Sequence, residues 1–276
     1  MVIIVWDDQR MKRVSAALVV AGVLSVAIPG GAVQAAPAPE SLGSVVTAIK
    51  KQFAKKSSVR FSVRRRGGPP PSDDLSISGA YRFNAAGMYA ADLTVISREP
   101  AATGRSRQIT MGRYYYSQSY VRSDEGKYIW KSPPKLGKWD AWQNLAGVVW
   151  GKDLVNGINP GFLDLAASYD AATADGGTVE GVRTTLHSGT VTVLDLGERQ
   201  AGISFGTEDM GSYGGQITWK LWTGPDHLPR RFHATMKFTK PEGGDAGTMT
   251  MNIVYRGWGS PVKITAPPER LIDSGW

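Results

Sequence analysis

The sequence predicts an α+β fold: a curved antiparallel sheet, open like half a barrel, with helices packed over its concave face. Three observations lead there. Long segments alternate apolar and polar residues with period two between clusters of turn residues, the mark of antiparallel strands with one dry and one wet face. Two stretches instead carry apolar residues at helical spacing. The 276 residues, 42% hydrophobic with nine Trp, ten Tyr and seven Phe, suffice for one large β domain with an aromatic core.

The first 36 residues set the compartment. Met11-Lys12-Arg13 opens a positive segment, residues 14–28 form an apolar run, and Pro29-Gly30-Gly31 breaks it. Val33-Gln34-Ala35 then offers small residues to a signal peptidase. This reads as a secretory signal peptide over residues 1–36, cleaved near Ala35 or Ala36. The run falls short of the roughly 20 apolar residues that a spanning helix needs. Asp7 and Asp8 precede the positive segment, so Met11 is the expected start. No paired arginines precede the apolar run, which favours the general secretory route over the twin-arginine one. Residues 37–276 are expected to form a single domain.

The chain has no cysteine. Disulfides, thiolate catalysis, zinc-thiolate sites and lipid attachment at a cysteine are therefore excluded, and the exported protein is expected to be secreted without a lipid anchor. The formal net charge is +8, and losing the leader leaves the remainder basic. Such a charge favours anionic membrane surfaces, anionic wall polymers or nucleic acid. The export signal argues against nucleic acid.

Past the linker at residues 37–39, Leu42, Val45, Val46, Ile49 and Phe53 fall on one helical face. Lys50, Lys51, Lys55 and Lys56 collect near the C-terminal end, where the helix dipole favours cations. Val59, Phe61 and Val63 alternate with Arg60, Ser62 and Arg64 and start the first strand, and residues 64–71 read as a loop. Strands are expected over 75–83, 88–96, 107–111, 114–120 and 127–131, forming an up-and-down sheet. After Pro133-Pro134 the pattern changes. Trp139, Trp142, Leu145, Ala146, Val149 and Trp150 recur at helical spacing. A second helical segment opens at Asn159-Pro160-Gly161, carries Phe162, Leu163, Leu165, Ala166 and Tyr169, and is expected to end at Gly176-Gly177. Strands resume to Val193, and the Gly-rich residues 194–215 show no period.

The last part is the clearest. Ile217, Trp219 and Leu221 alternate with Thr218 and Lys220, and Gly224-Pro225-Asp226 supplies a turn. Phe232, Ala234, Met236 and Phe238 then face away from Arg231, His233, Thr235 and Lys237. A third, shorter strand puts Met249, Met251, Ile253 and Tyr255 on one side. The run 221–232, from Leu221-Trp222-Thr223-Gly224-Pro225-Asp226 onward, resembles exported lipid-binding proteins of the LolA/LppX/LprG kind in their actinobacterial form. So do Val254-Tyr255-Arg256-Gly257-Trp258-Gly259-Ser260-Pro261 with the residues to Pro268, and the strand 182–191. The resemblance covers residues 40–273. It implies lipid or lipoprotein ligands, with helices crossing the concave face of the sheet. The chain departs from that pattern in lacking the cysteine after its leader.

Other chemistry finds little footing. Gly202-Ile203-Ser204-Phe205-Gly206 matches a nucleophile elbow, but no helical periodicity follows the serine as that turn requires. His187, His227 and His233 have neither metal-ligand spacing nor a clear place beside Ser204. No cofactor is implied. The reading is a secreted, non-enzymatic, monomeric binder or carrier of lipids or other amphiphiles. Trp139, Trp142, Leu145, Val149, Phe162, Leu163, Met236, Met249 and Met251 are core residues on a plain reading. On the carrier reading they line an apolar cavity between sheet and helices. Two alternatives are a sensor that engages a membrane protein partner, as sigma-regulator-like relatives of this fold would, and a hydrolase using Ser204.

Export gives the first testable outcome. N-terminal sequencing of the secreted protein should begin near residue 36 or 37. A membrane-bound product that keeps Met1 or Met11 would overturn the cleavage.

Overall fold

The alternating segments form strands, and the strands join edge to edge in one sheet. The computed structural model describes residues 41–68, 74–98, 103–112, 114–122, 128–129, 139–143, 155–199 and 214–273. All lie in one compact unit, Pro39–Trp276. Helix α1 is Leu42–Ala54. The first run of strands is β1 Ser58–Gly67, β2 Asp74–Asn84, β3 Gly87–Arg98, β4 Thr103–Met111, β5 Tyr114–Arg122, β6 Tyr128–Ile129 and β7 Trp139–Gln143. Helix α2, Pro160–Ala167, precedes β8 Ala172–Val179 and β9 Val182–Thr192. Helix α3, Val193–Arg199, follows, then β10 Gly214–Thr223, β11 Pro229–Thr239, β12 Asp245–Arg256 and β13 Ile272–Asp273.

The spatial order is β13-β7-β5-β4-β3-β2-β1-β12-β11-β10-β9-β8, with β6 paired to β5. From β1 the chain meanders outward to β7. It then appears at the opposite edge as β8 and meanders back, so that β12 closes against β1. That central pairing runs antiparallel from Arg60 opposite Arg256 to Gly67 opposite Met249. The sheet stays open, because its two ends do not pair.

The inner face is dry because the strand period puts it there. Register aligns Ile217, Trp219 and Leu221 with Met236, Ala234 and Phe232 on β11, and these with Met249, Met251 and Ile253 on β12. All are buried. Helix α1 packs its predicted stripe Leu42, Val45, Val46, Ile49 and Phe53 into the same core, against α2 and over β2 and β3, and starts at Ser41, whose side chain accepts from Ser44 N at 3.3 Å. Helix α2 starts at Asn159, whose Oδ1 accepts from Gly161 N at 3.0 Å, with Pro160 in the first turn. There the missing N–H costs nothing. Phe162 anchors α2 by meeting Trp219 and Phe232 edge-on, with centroids at 6.2 and 5.6 Å.

Two close approaches depend on glycine. A Cβ on Gly189 would sit 2.9 Å from Cζ2 of the opposite Trp219, so the indole lies across the glycine. A Cβ on Gly157 would sit 2.7 Å from Leu221 Cδ1 and 3.1 Å from Phe232 Cβ, so the chain leading into α2 presses directly onto the sheet.

A second, smaller core lies on the outer face. Ala90, Ile109 and Tyr116 pack with Ile264 of the C-terminal segment, and Val262, Leu271 and Ile272 border them. The segment ends by pairing β13 in parallel with β7, Ile272 opposite Trp139.

Several expectations are corrected. Trp139–Gln143 is a strand pairing with β5, not the start of a helix; aromatic residues suit a strand as well, and the sheet edge supplies the partner. Helix α2 stops at Ala167. Gly176 and Gly177 sit at a register shift within β8 rather than ending a helix. Arg64, Arg65 and Arg66 belong to β1 instead of opening a loop. The third strand of the final meander is long, Asp245–Arg256. The run after β9 contains α3, whose Asp195 N bonds Thr192 Oγ1 at 3.0 Å. The leader, residues 144–150 and Ser204 lie outside the described residues.

Packing at Gly157 makes a sharp prediction. Gly157→Ala should cost about 1–3 kcal/mol, as overpacking does. Gly43→Ala in α1, where the nearest atom would be 3.6 Å away, should be neutral or stabilising. Denaturant midpoints of the two variants measure both.

Candidate functional site

Among the described residues, the inner face holds a small void. It has a volume of about 20 Å³ and lies where β1, β2, β3 and β12 meet, among Phe61, Val63, Tyr81, Leu93 and Ile253. Phe61 stacks on Tyr81 with centroids 4.2 Å apart. Asn156 and Tyr255 close the void beside the segment that leads into α2. Asn156 Oδ1 accepts from Ile158 N at 3.0 Å, and Tyr255 Oη accepts from Gly157 N at 3.1 Å. The space suits about one water molecule. Its lining is apolar apart from the amide of Asn156 and the two phenols.

Of the residues expected to line a cavity, Phe162, Leu163, Met236, Met249 and Met251 come together in the main core, none more than 8% exposed. Trp139 and Trp142 lie on β7 at the far end of the sheet. Leu145 and Val149 lie outside the described residues. The void itself sits to one side of α2, among residues that sequence reasoning placed only in strands. Alternation assigns Phe61, Val63 and Leu93 to the dry face, but only the register of β1 between β2 and β12 brings them to one spot.

The outer face is cationic. Arg60, Arg64 and Arg66 stand on β1, and the register carries them alongside Arg256, Asn252 and Thr250. Lys220 lies opposite His233, which lies opposite Asn252. Arg231 Nε donates to Asn252 Oδ1 at 2.7 Å, and its guanidinium sits 5.0 Å from the Trp222 ring centroid. Burial, then the charges of Arg231 and Lys220, hold the His233 imidazole below its ordinary value of 6.5. Further out, Asp92 takes a two-pronged contact from Arg107 at 3.0 and 2.8 Å. That contact favours the guanidinium's charged form and raises its pKa.

The histidines are spread over the fold. His187 is buried on the inner face with Nε2 3.2 Å from Thr223 Oγ1. His227 lies in the exposed β10–β11 turn with φ 59°. His233 lies on the outer face. Among the described residues, no three His, Asp or Glu side chains are placed to hold a metal ion, and no helix is long and apolar enough to cross a membrane.

No family model and no curated protein sequence matches the chain. Solved structures align with it over most of its length. A DUF1329 family protein from Desulfovibrio piger is 9% identical, with 82% of this chain and 95% of that one covered and a TM-score of 0.24. A LolA superfamily protein from Nitrosomonas europaea is 9% identical, with 84% and 96% covered and a TM-score of 0.19. An outer membrane lipoprotein-sorting protein domain from Vibrio parahaemolyticus is 9% identical, with 83% and 94% covered and a TM-score of 0.20. The alignments are long, and the superposed backbones diverge widely.

His233 makes the outer face measurable by pH. The fold favours the neutral ring, so near pH 6 the unfolded chain binds the proton more readily than the folded one. The stability that the neutral ring contributes is complete above about pH 6.5 and declines as pH falls below it. His233→Gln should therefore lose less stability than the wild type between pH 7.5 and pH 5, as read from denaturation midpoints. Equal losses would show that His233 does not titrate in this way.

Proposed function

We propose that this chain is an extracytoplasmic, non-catalytic binder or carrier of lipids or other amphiphiles, holding the apolar part of its ligand between sheet and helices. The observation that carries the reading is the apolar void on the inner face, enclosed by Phe61, Val63, Leu93 and Ile253. This void of about 20 Å³ is too small for an acyl chain, so loading would have to enlarge it. Loading would lift the 155–158 segment, whose hydrogen bond from Gly157 N to Tyr255 Oη is the contact to exchange.

Burial of each methylene contributes about 0.8 kcal/mol, so an acyl chain is held without directional contacts. Met236, Met249 and Met251 belong to the same core, with the unbranched side chains that re-pack around chains of different length. Leu145, Val149, Phe162 and Leu163 would complete the lining in the loaded form. The cationic outer face supports loose attachment to an anionic surface in place of a lipid anchor.

Native mass spectrometry of the secreted protein should find a bound amphiphile, and the delipidated protein should bind a fluorescent fatty acid. Leu93→Trp overfills the void, so it should weaken fatty-acid binding about tenfold and cost about 1–3 kcal/mol of ligand-free stability. A protein that carries no amphiphile and binds no fatty acid is not a carrier. Unchanged affinity in Leu93→Trp would move the ligand away from this void.

A further inference from the structure

An open cleft of about 730 Å³ lies at the end of the sheet, between the end of α1, the start of β1 and the 258–263 segment. Its cations are Lys55, Lys56, Arg82 and Lys263, and no carboxylate lines it. Among the described residues, none of the four pairs with an acid. Arg82 rests its guanidinium 5.5 Å from the Tyr89 ring centroid. The groove on the other side of α1 differs, since Asp226 lies in it.

The backbone at this cleft is costly. Ser57 N bonds Gln52 O at 3.1 Å and Lys56 N bonds Phe53 O at 2.9 Å, the paired bonds that end a helix through a left-handed residue. Glycine is the usual occupant of that position. Here it is Lys56, with φ 53°. A strained residue whose ammonium belongs to a cation cluster points to a role for that ammonium. Next to it, Ser57 Oγ is buried and has no hydrogen-bond partner among the described residues. A buried hydroxyl without a partner is expensive, and this one borders the cleft. Ser58 is already engaged, donating from Oγ to Ser260 O. Trp258 is fixed by its Nε1 donating to Pro229 O at 2.9 Å and presents a half-buried ring to the same space.

We propose that this cleft binds a phosphoryl group, as a free phosphate or as the phosphate of a lipid head group. Lys55, Lys56, Arg82 and Lys263 neutralise it, and the Ser57 hydroxyl, buried in this structure, donates to it once its side chain turns into the cleft. The volume exceeds what phosphate alone fills, so a polyol or sugar on the phosphate would lie against Trp258. The cleft is separate from the inner void, and the proposal stands whether or not that void holds an acyl chain.

The test uses the full chain with two probes. One is inorganic phosphate by calorimetric titration. The other is flotation with phosphatidylglycerol vesicles, with phosphatidylcholine vesicles as reference. Lys56→Gly and Lys263→Gln alter the cleft, whereas Lys240→Gln removes an equal charge from the β11–β12 turn, away from both the cleft and the outer face. Each cleft variant loses a charge-assisted contact and should weaken binding about tenfold, with Lys240→Gln unchanged. Lys56→Gly should also melt at a higher temperature than the wild type, because glycine relieves the left-handed backbone. Loss with weaker binding but greater stability cannot come from misfolding. Weakened vesicle binding in the cleft variants identifies a head group as the source. Weakened phosphate binding with unaltered vesicle binding identifies free phosphate. If neither probe separates the cleft variants from Lys240→Gln, the proposal is overturned.

Discussion

The pairing of β1 with β12 is the constraint on which the fold depends. It makes one sheet of two meanders, one running from β1 to β7 and the other from β8 to β12. The dry face that α1 and α2 cover is continuous only across this seam. Its register is set chemically. A slip by one residue would exchange Phe61 and Val63 for Arg60, Ser62 and Arg64 on the inner face. The seam also joins distant parts of the chain: Ser58 meets Ser260 from 202 positions away. Closing so long a loop must precede most of the burial it makes possible, which puts this protein among slow-folding topologies.

Much of this could be read from the sequence, and the misses have physical causes. The stripe of α1 and the alternation of β10, β11 and β12 each bury one face over many residues, and both are seen as expected. Asn159-Pro160 marked the start of α2 through capping chemistry that acts locally. Trp139 and Trp142 failed as helix markers although the spacing continued to Trp150, because aromatic residues suit a strand as well and the edge of β5 decided the matter over residues 139–143. The void among Phe61, Val63 and Leu93 was invisible because the chain contains no local record of the β1–β12 register. The cleft was hidden for a similar reason. Lys55 and Lys56 read as ordinary cations at a helix end, and Lys263 lies far along the chain.

Charge and apolarity are sorted by face. The inner face is filled with aliphatic and aromatic side chains, while lysines, arginines and threonines stand on the outer one. Thr190, Thr218, Thr235 and Thr250 line up across four strands of that face, a row of cross-strand pairs that suits a wet surface. Among the described residues, Arg65 departs from this sorting, turned inward by the register between Leu75 and Met251, as does Thr223, buried beside His187.

The parallel pairing of β13 with β7 has a further effect at the rim. An open sheet presents unpaired N–H and C=O groups at each end, and a bare strand there recruits another chain. On one side β13 occupies β7, so the C-terminal segment takes the place an incoming strand would use. On the other side β8 remains outermost. There Gly176 and Gly177 break the register against β9, and Asp175 is drawn into an ion pair with Arg183 at 3.2 Å. An approaching strand would meet an irregular backbone and exposed charge in place of a flat template. Both ends of the sheet thus discourage edge-to-edge growth, one by occupation and one by irregularity. A protein with so many strands can remain open as a sheet without becoming a seed for fibres.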